Sequence, residues 1–336
     1  MKKIIVTGGA GYIGSHTVVE LIEAGYTPII VDNLCNTSIQ NIKGIEKIID
    51  KKIKWHNTDC TNKSAMDKVF ATEGKIEGAI HFAAYKAVEE SVQNLQKYYD
   101  NNLGSLKVLL QCMSDNSIKN IIFSSSCTVY GMPDVLPVDE NALFKKAESP
   151  YGETKQICEG MLKDDTCNSV ALRYFNPIGS HSSELIGDCS ADKPSNLVPI
   201  ITEVAIGKRK KITVFGDDYN TPDGTCIRDY IHVMDLAQAH IESLEYLISS
   251  KNNENCEVFN VGTGRGVSVM EVIKTFEKVT GEKVPYTLSF PREGDIVKAY
   301  ANPEKIVKKI GWKSKLTLED SLLSAWNWEK ELQRNT

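Results

Sequence analysis

Residues 6–16, VTGGAGYIGSH, place a cluster of glycines between a β-branched run and an apolar helical stretch. Gly9, Gly11 and Gly14 satisfy Gly-x-Gly-x-x-Gly, while Gly8, Gly11 and Gly14 satisfy the related three-residue spacing. Glycines permit a tight turn there and let main-chain N–H groups approach a pyrophosphate at the positive end of a helix. A glycine loop by itself is often only a turn. Here a strand precedes it, a helix follows it, and Asp32 closes the next run, IIVDN, 18 residues after Gly14. An acidic residue at that point accepts hydrogen bonds from an adenosine ribose and repels a 2′-phosphate, which favours NAD over NADP. The loop therefore commits the chain to the opening unit of a parallel, dinucleotide-binding sheet.

The rest of the first half keeps that rhythm. Strands are predicted at residues 3–6, 27–31, 52–55, 78–82, 120–124 and 169–174, with helices between them such as 13–24 and 97–113. Continuously apolar strands alternating with amphipathic stretches imply a parallel sheet covered on both faces. After about Asn176 the pattern loosens into loops rich in Gly, Pro, Asn and Asp as far as Gly224. A strand-like EVFNVG follows, with helical stretches near 268–280 and 318–332. A length of 336 residues fits one large or two coupled domains.

Several function classes are disfavoured. No apolar run approaches the roughly 20 residues of a membrane span. Only Ile4, Ile5 and Val6 precede the glycines, too few for a signal-peptide core, so a cytoplasmic protein is expected. Net charge is −5 and the one basic run, residues 208–211, reads as a surface turn, so no nucleic-acid partner is expected. Nine cysteines without a Cys-x-x-Cys pair argue against a zinc site or a disulfide framework, and no metal is expected.

A second motif is SPYGETK. With 13 tyrosines and roughly one residue in ten a lysine, about one Tyr-x-x-x-Lys match is expected by chance, and one is present. Its surroundings must decide. Ser149 suits an N-cap and Pro150 the first helical position, so Tyr151 and Lys155 fall on one helix face. FSSSCTVYG ends a predicted strand with Ser124, Ser125 and Ser126, and strand ends form the ligand crevice of a parallel sheet. A hydroxyl, a phenol and an ammonium then converge. A cation about 6 Å away at an effective dielectric of 20 contributes about 2.8 kcal/mol, roughly two pKa units. Lys155 together with a positive nicotinamide would bring Tyr151 from near 10 to about 7–8, where it serves as a base for an alcohol proton. The bland alternative is a surface Tyr–Lys pair.

At this point the chain resembles the extended short-chain dehydrogenase/reductase family and, within it, the UDP-glucose 4-epimerases. The resemblance runs nearly end to end: TGGAGYIGSH, VDNLCN, HFAAYKAVEESV, YYDNN, FSSSCTVYG, SPYGETK, LRYFNPIG, FGDDYNTPDGTCIRDYIHVMDLA, NVGTG and PREGD. It implies an α/β fold: a Rossmann-like doubly wound parallel sheet with a smaller, discontinuous α/β substrate-binding domain. The NAD-binding unit would span residues 1–176 with returns near 228–262, and 177–336 would be mainly substrate domain.

The resemblance also implies roles. Tyr151 takes the sugar 4-hydroxyl proton, Ser126 hydrogen-bonds the same oxygen, and Lys155 holds the tyrosine ionised. NAD contacts fall at Gly8, Gly11, Tyr12, Ile13, Gly14, Asp32, Asn33, Asn36, Thr37, Asp59, Cys60, Phe82, Ala83, Ala84, Lys86, Asn101, Ser124, Tyr151, Lys155 and Phe175. The UDP-sugar would meet Lys86, Ser126, Tyr151, Asn176, Asn196, Leu197, Thr213, Val214, Phe215, Arg228, Arg292, Asp295 and Ala299. Arg228 and Arg292 would clamp the diphosphate; the bland alternative is ion pairing with Asp229 or Asp295. The expected partners are UDP-glucose and UDP-galactose, with a homodimer formed through helices flanking residues 99–113 and 151–163.

Ala299 aligns where members restricted to glucose and galactose carry a tyrosine, which implies room for UDP-N-acetylhexosamines. A 4,6-dehydratase is disfavoured because Cys127 and Thr128, not an acid–base pair, follow Ser126. A UDP-glucuronate 4-epimerase or related nucleotide-sugar enzyme, and a non-catalytic NAD-sensing regulator, remain as rival readings.

Overall fold

Side-chain alternation along the strands sets the architecture. The computed structural model describes residues 1–190, 194–292 and 295–334. Ile4, Val6, Ile30, Ile80, Ile122, Val170 and Leu172 face one apolar cluster, shared with Val18 and Leu21 of helix Tyr12–Glu23 and Leu236 and Leu244 of helix Val233–Ile248. Their neighbours Ile5, Ile29, Val31, Ala79, Ile121, Phe123 and Ala171 face a second cluster. Phe70 of helix Lys63–Glu73, Leu106 and Leu109 of helix Leu95–Asp115, and Leu162 of helix Pro150–Asp164 complete it. Period-2 geometry sends successive side chains to opposite faces, so a sheet covered on both sides must be apolar at every position.

The seven strands lie in the order Cys256–Val261, Asn168–Tyr174, Asn120–Ser124, Gly78–His81, Lys3–Thr7, Thr27–Val31, Trp55–His56. Every pairing is parallel. The chain starts mid-sheet, winds to one edge, returns and winds to the other. A crevice therefore opens at the carboxyl ends of Lys3–Thr7 and Gly78–His81, where the order reverses. The strand expected at residues 52–55 forms instead at Trp55–His56. Lys52 and Ile53 bond instead to Glu46, whose carboxylate takes Lys52 Nζ at 2.6 Å and the Ile53 N–H at 3.3 Å.

The outer strand Cys256–Val261 and helix Val233–Ile248 come from the second half of the chain but pack on this sheet. A third cluster lies elsewhere, built from Val198, Ile201, Val214, Ile273, Phe276, Leu322 and Trp326. Trp326 meets Phe276 edge-on, with ring centroids 5.9 Å apart. Helices Leu197–Ala205, Val269–Thr280 and Leu318–Arg334 cover a two-stranded parallel sheet of Ile212–Phe215 and Tyr286–Ser289. No helix among the described residues is long and apolar enough to cross a membrane.

One buried carboxylate stitches the segments between these bodies. Asp229 is fully buried. Its oxygens accept the Thr263 N–H and Oγ1 at 2.9 and 2.6 Å, the Gly264 N–H at 3.0 Å and the Ala301 N–H at 3.2 Å. Its own N–H donates to Ala299 O at 3.1 Å, and its carbonyl accepts from Asn176 N at 3.0 Å. Truncation would strand three backbone donors, that of Ala301 buried and those of Thr263 and Gly264 partly so, each buried donor costing about 1–3 kcal/mol. Asp229→Ala is expected to lose at least about 3 kcal/mol of stability, read from the midpoint of denaturant unfolding; an unchanged midpoint would refute this role.

Candidate active site

Backbone geometry makes the crevice. Gly8 ends the first strand at φ +70°. A Cβ there would lie 2.7 Å from Ala83 N, and one on Gly14 would lie 2.2 Å from Gly8 O. Neither position tolerates a side chain, so it is the Gly8–Gly11–Gly14 spacing that the turn depends on. Gly11 is the N-cap of helix Tyr12–Glu23 and supplies no side-chain cap, leaving first-turn N–H groups available to an anion. Asp32 is buried beside them. Its oxygens accept the Ala10 N–H at 3.0 Å and the Leu34 N–H at 2.9 Å. Burial raises its pKa, and these two bonds oppose the rise.

A cavity of about 330 Å³ runs from this loop along the strand ends. Its walls include Gly8, Gly11, Tyr12, Ile13, Gly14, Asp32, Asn33, Asn36 and Thr37. Cys60, Phe82, Ala83, Ala84, Lys86, Asn101, Ser124 and Phe175 continue them. A helix N-terminus without a cap and an adjacent buried carboxylate fit the pyrophosphate and ribose of a dinucleotide. Asp59 does not line the cavity. Its Oδ1 is taken by the Thr61 N–H and Oγ1, both at 2.8 Å, while its neighbours Thr58 and Cys60 form the wall.

Ser126, Tyr151 and Lys155 meet at the far end of the same cavity. Ser149 caps helix Pro150–Asp164 by accepting the Gly152 N–H, and Pro150 occupies its first turn. That start places Tyr151 and Lys155 one turn apart, both buried. Lys155 Nζ lies 5.8 Å from the Tyr151 ring centroid and 4.8 Å from that of Phe123, and it donates to Ser124 O at 2.5 Å. Burial brings the Lys155 pKa down to about 8, against the opposing pull of Cys158 and Glu159. Burial also pushes the Tyr151 phenol well up, aided by Tyr174, while its hydrogen bond with Ser126 opposes the rise. The protein alone therefore raises this phenol; the lowering to about 7–8 was expected only with a positive nicotinamide beside Lys155. Desolvation outweighs the single ammonium, and any lowering must come from charge brought in by a bound group.

A larger cavity of about 1020 Å³ adjoins the first, sharing Lys86, Cys127, Thr128, Phe175, Asn176 and Asn196 with it. Arg228, Arg292, Asp295 and Ala299 also line it. Arg228 does not pair with Asp229, whose carboxylate is fully used elsewhere; its Nη1 donates to its neighbour's carbonyl, Ile227 O, at 2.9 Å. Arg292 does pair with Asp295, at 2.9 Å, and lies over the Phe215 ring at 4.8 Å. Ala299 pairs in register with Arg228. Tyr300 is not a wall of either cavity and packs instead beside Gly266.

Four expected substrate residues stand outside these two cavities. Leu197 lines a small adjoining cavity of about 120 Å³ with Asn176 and Asn196. Thr213 and Phe215 lie on the exposed face of their strand. Val214 is a correction: alternation turns its side chain into the third core.

The sequence reading also passed over several walls. Tyr174 is bonded through its hydroxyl to Ser124 and lines the smaller cavity. Its position at a strand end directly before Phe175 was the available signal. Asp188, Cys189 and Ser190 line the larger cavity, with Asp188 at 3.8 Å from Lys86. They sit in a loop with no local signature.

The chain matches the family described as GDP-mannose 4,6 dehydratase over residues 5–324. It is 48% identical over 332 residues to the UDP-glucose 4-epimerase of Dictyostelium discoideum, covering 97% of this chain and 95% of that protein. Its fold superimposes at TM-score 0.96 on the UDP-glucose 4-epimerase of Stenotrophomonas maltophila, crystallised with NAD and formylated UDP-arabinopyranose. The two are 40% identical, with all of both chains covered. The UDP-Glc/GlcNAc 4-epimerase of Campylobacter jejuni superimposes at 0.84 with 36% identity, covering 98% of this chain and 100% of that one.

The glycine geometry gives a direct test. Gly14→Ala places a methyl against Gly8 O and must open the turn. It is expected to weaken calorimetrically measured dinucleotide binding at least about tenfold, a 1.4 kcal/mol effect; wild-type affinity would overturn the assignment of the loop.

Proposed function

This chain belongs to the UDP-glucose 4-epimerases of the extended short-chain dehydrogenase/reductase family, and from that premise we infer that it inverts carbon 4 of UDP-glucose and UDP-galactose. The observation that carries this reading is one continuous crevice: glycine loop and Asp32 at one end, Ser126, Tyr151 and Lys155 at the other, and an arginine-bearing cavity alongside.

NAD, held by the glycine loop, Asp32 and Lys155, supplies the hydride acceptor and donor. Tyr151 takes the 4-hydroxyl proton as carbon 4 is oxidised to a ketone, and Ser126 hydrogen-bonds that oxygen. Lys155 keeps a positive charge beside the phenol, and a cationic nicotinamide adds the second charge needed to offset its burial. Arg228 and Arg292 grip the diphosphate by planar, forked contacts. The large cavity lets the keto sugar turn, so that hydride returns to its other face while Tyr151 gives the proton back. No net oxidation results.

Dehydration does not fit. Ser126 is followed by Cys127, whose thiol burial pushes up to about 11, and by Thr128. Neither serves as an acid–base pair at neutral pH. A non-catalytic sensor fits less well, since the hydroxyl, phenol and ammonium are all held together. We also read the protein as a cytoplasmic homodimer. The nine free cysteines suit a reducing compartment. Helices Leu95–Asp115 and Pro150–Asp164 pack side by side in one apolar cluster and leave Leu95 and Ile157 exposed for a second copy.

Tyr151→Phe keeps the ring and removes the base. Its kcat is expected to fall by about 10²–10⁴, measured by conversion of UDP-galactose to UDP-glucose without added cofactor. Normal turnover in the variant would remove Tyr151 from the mechanism.

Ala299 supports a wider substrate range, including UDP-N-acetylglucosamine and UDP-N-acetylgalactosamine. A methyl group is all that this position puts into the cavity, and the bulkier Tyr300 packs elsewhere. Ala299→Tyr is expected to cut kcat/KM on UDP-N-acetylglucosamine at least about tenfold while changing that on UDP-glucose by less than about twofold. Parallel assays of both sugars check this; failure of the wild type to turn over the acetylated sugar would end the proposal.

A further inference from the structure

Below the three groups assigned to chemistry lies a buried charge pair that the mechanism does not use. Glu159 follows Lys155 by one turn on helix Pro150–Asp164, so Tyr151, Lys155 and Glu159 form one buried stripe. Arg173, from strand Asn168–Tyr174, donates to Glu159 through Nε at 2.9 Å and through Nη2 at 2.6 Å. Both side chains are only 6% exposed. Arg173 Nη1 also donates to Tyr130 Oη at 3.0 Å, and Tyr130 donates in turn to Asn260 Oδ1 at 2.6 Å.

The remaining contact points at the site. Ser125 Oγ donates to Glu159 Oε1, and Ser125 is completely buried between Ser124 and Ser126. The three consecutive serines are thus held differently. Ser124 is tied through its carbonyl to Lys155 and through its hydroxyl to Tyr174. Ser125 is tied to Glu159, and Ser126 is left facing the cavity. Taking two charges out of water is expensive, and a buried pair is by itself weak evidence of a stabilising role.

We propose that Glu159 is a positioning residue for the Ser126–Tyr151–Lys155 group. It fixes Ser125, and through it the strand end that presents Ser126, and it places a negative charge one turn behind the Lys155 ammonium. Arg173 holds the carboxylate in place. This rests on the epimerase reading above.

The groups facing Lys155 are Cys158 and Glu159 from its own helix, His81 from strand Gly78–His81, and Tyr151 with the Ser124 carbonyl in front. Only Glu159 among these is an anion. Removing its charge makes the ammonium easier to deprotonate, so the alkaline limb of the rate profile must move to lower pH.

Two holoenzyme variants test this. Ser125→Ala leaves the Arg173–Glu159 pair intact and removes only its hold on the strand end. It is expected to lower kcat at least about tenfold, with KM and bound NAD within about twofold of wild type. Glu159→Gln is expected to shift the alkaline limb of the kcat–pH profile down by about half a unit or more. Ser125→Ala with wild-type kcat, or with a loss that only tracks lost NAD, overturns the proposal. So does a folded Glu159→Gln with an unmoved profile. If Glu159→Gln does not fold, Ser125→Ala decides alone. A wild-type protein without epimerase activity sinks the functional reading itself, a result separate from either variant's.

Discussion

The site depends on a buried ammonium. Lys155 is only 3% exposed, and the Ser124 carbonyl is its hydrogen-bond acceptor. That bond, with the one from Ser125 Oγ to Glu159, ties helix Pro150–Asp164 to the end of strand Asn120–Ser124, the two elements that carry the proposed chemistry. It also presses a positive charge against the Phe123 and Tyr151 rings, in a setting where charge interactions are much stronger than in water. Burial makes the ammonium easier to lose and the phenol harder to ionise. The protein alone is thus set against the charge state that the proposed chemistry needs, which charge brought in by a bound group would offset.

Short ribbons lie between the large sheet and the third apolar cluster. A two-stranded ribbon pairs Asn176–Ile178 with Tyr230–His232, and a three-stranded one carries Arg228 and Ala299. Asp229 anchors both, because it lies between them in sequence and bonds to segments on each side. The larger cavity opens at this junction. Its walls combine loops and short ribbons with Pro199 and Glu203 of helix Leu197–Ala205 and Glu329 of helix Leu318–Arg334, whereas the smaller cavity runs along the strand ends of the sheet.

Much of the first body was legible because its signals are local. A strand buried on both faces announces itself in β-branched residues, and the helices betray their starts through Ser149 and Pro150. The third strand was misplaced: it forms at Trp55–His56, and Lys52 and Ile53 bond to Glu46 instead. Val214 shows the same limit at finer scale. Its neighbours Thr213 and Phe215 are exposed, and only the packing reveals which face of the strand is the core.

By itself the sequence determined the alternation of strand and helix, the glycine turn with Asp32 after it, and the one-turn spacing of Tyr151 and Lys155. Each follows from backbone periods of two or 3.6 residues, which act over a few positions. Only the tertiary structure decided that Asp59 is taken up by Thr61, that Arg228 is free of Asp229, that Asp188 meets Lys86, and that Glu159 pairs with Arg173. Those facts join residues far apart in the chain or turn on packing, and desolvation in the folded interior sets their energies, which no local pattern encodes.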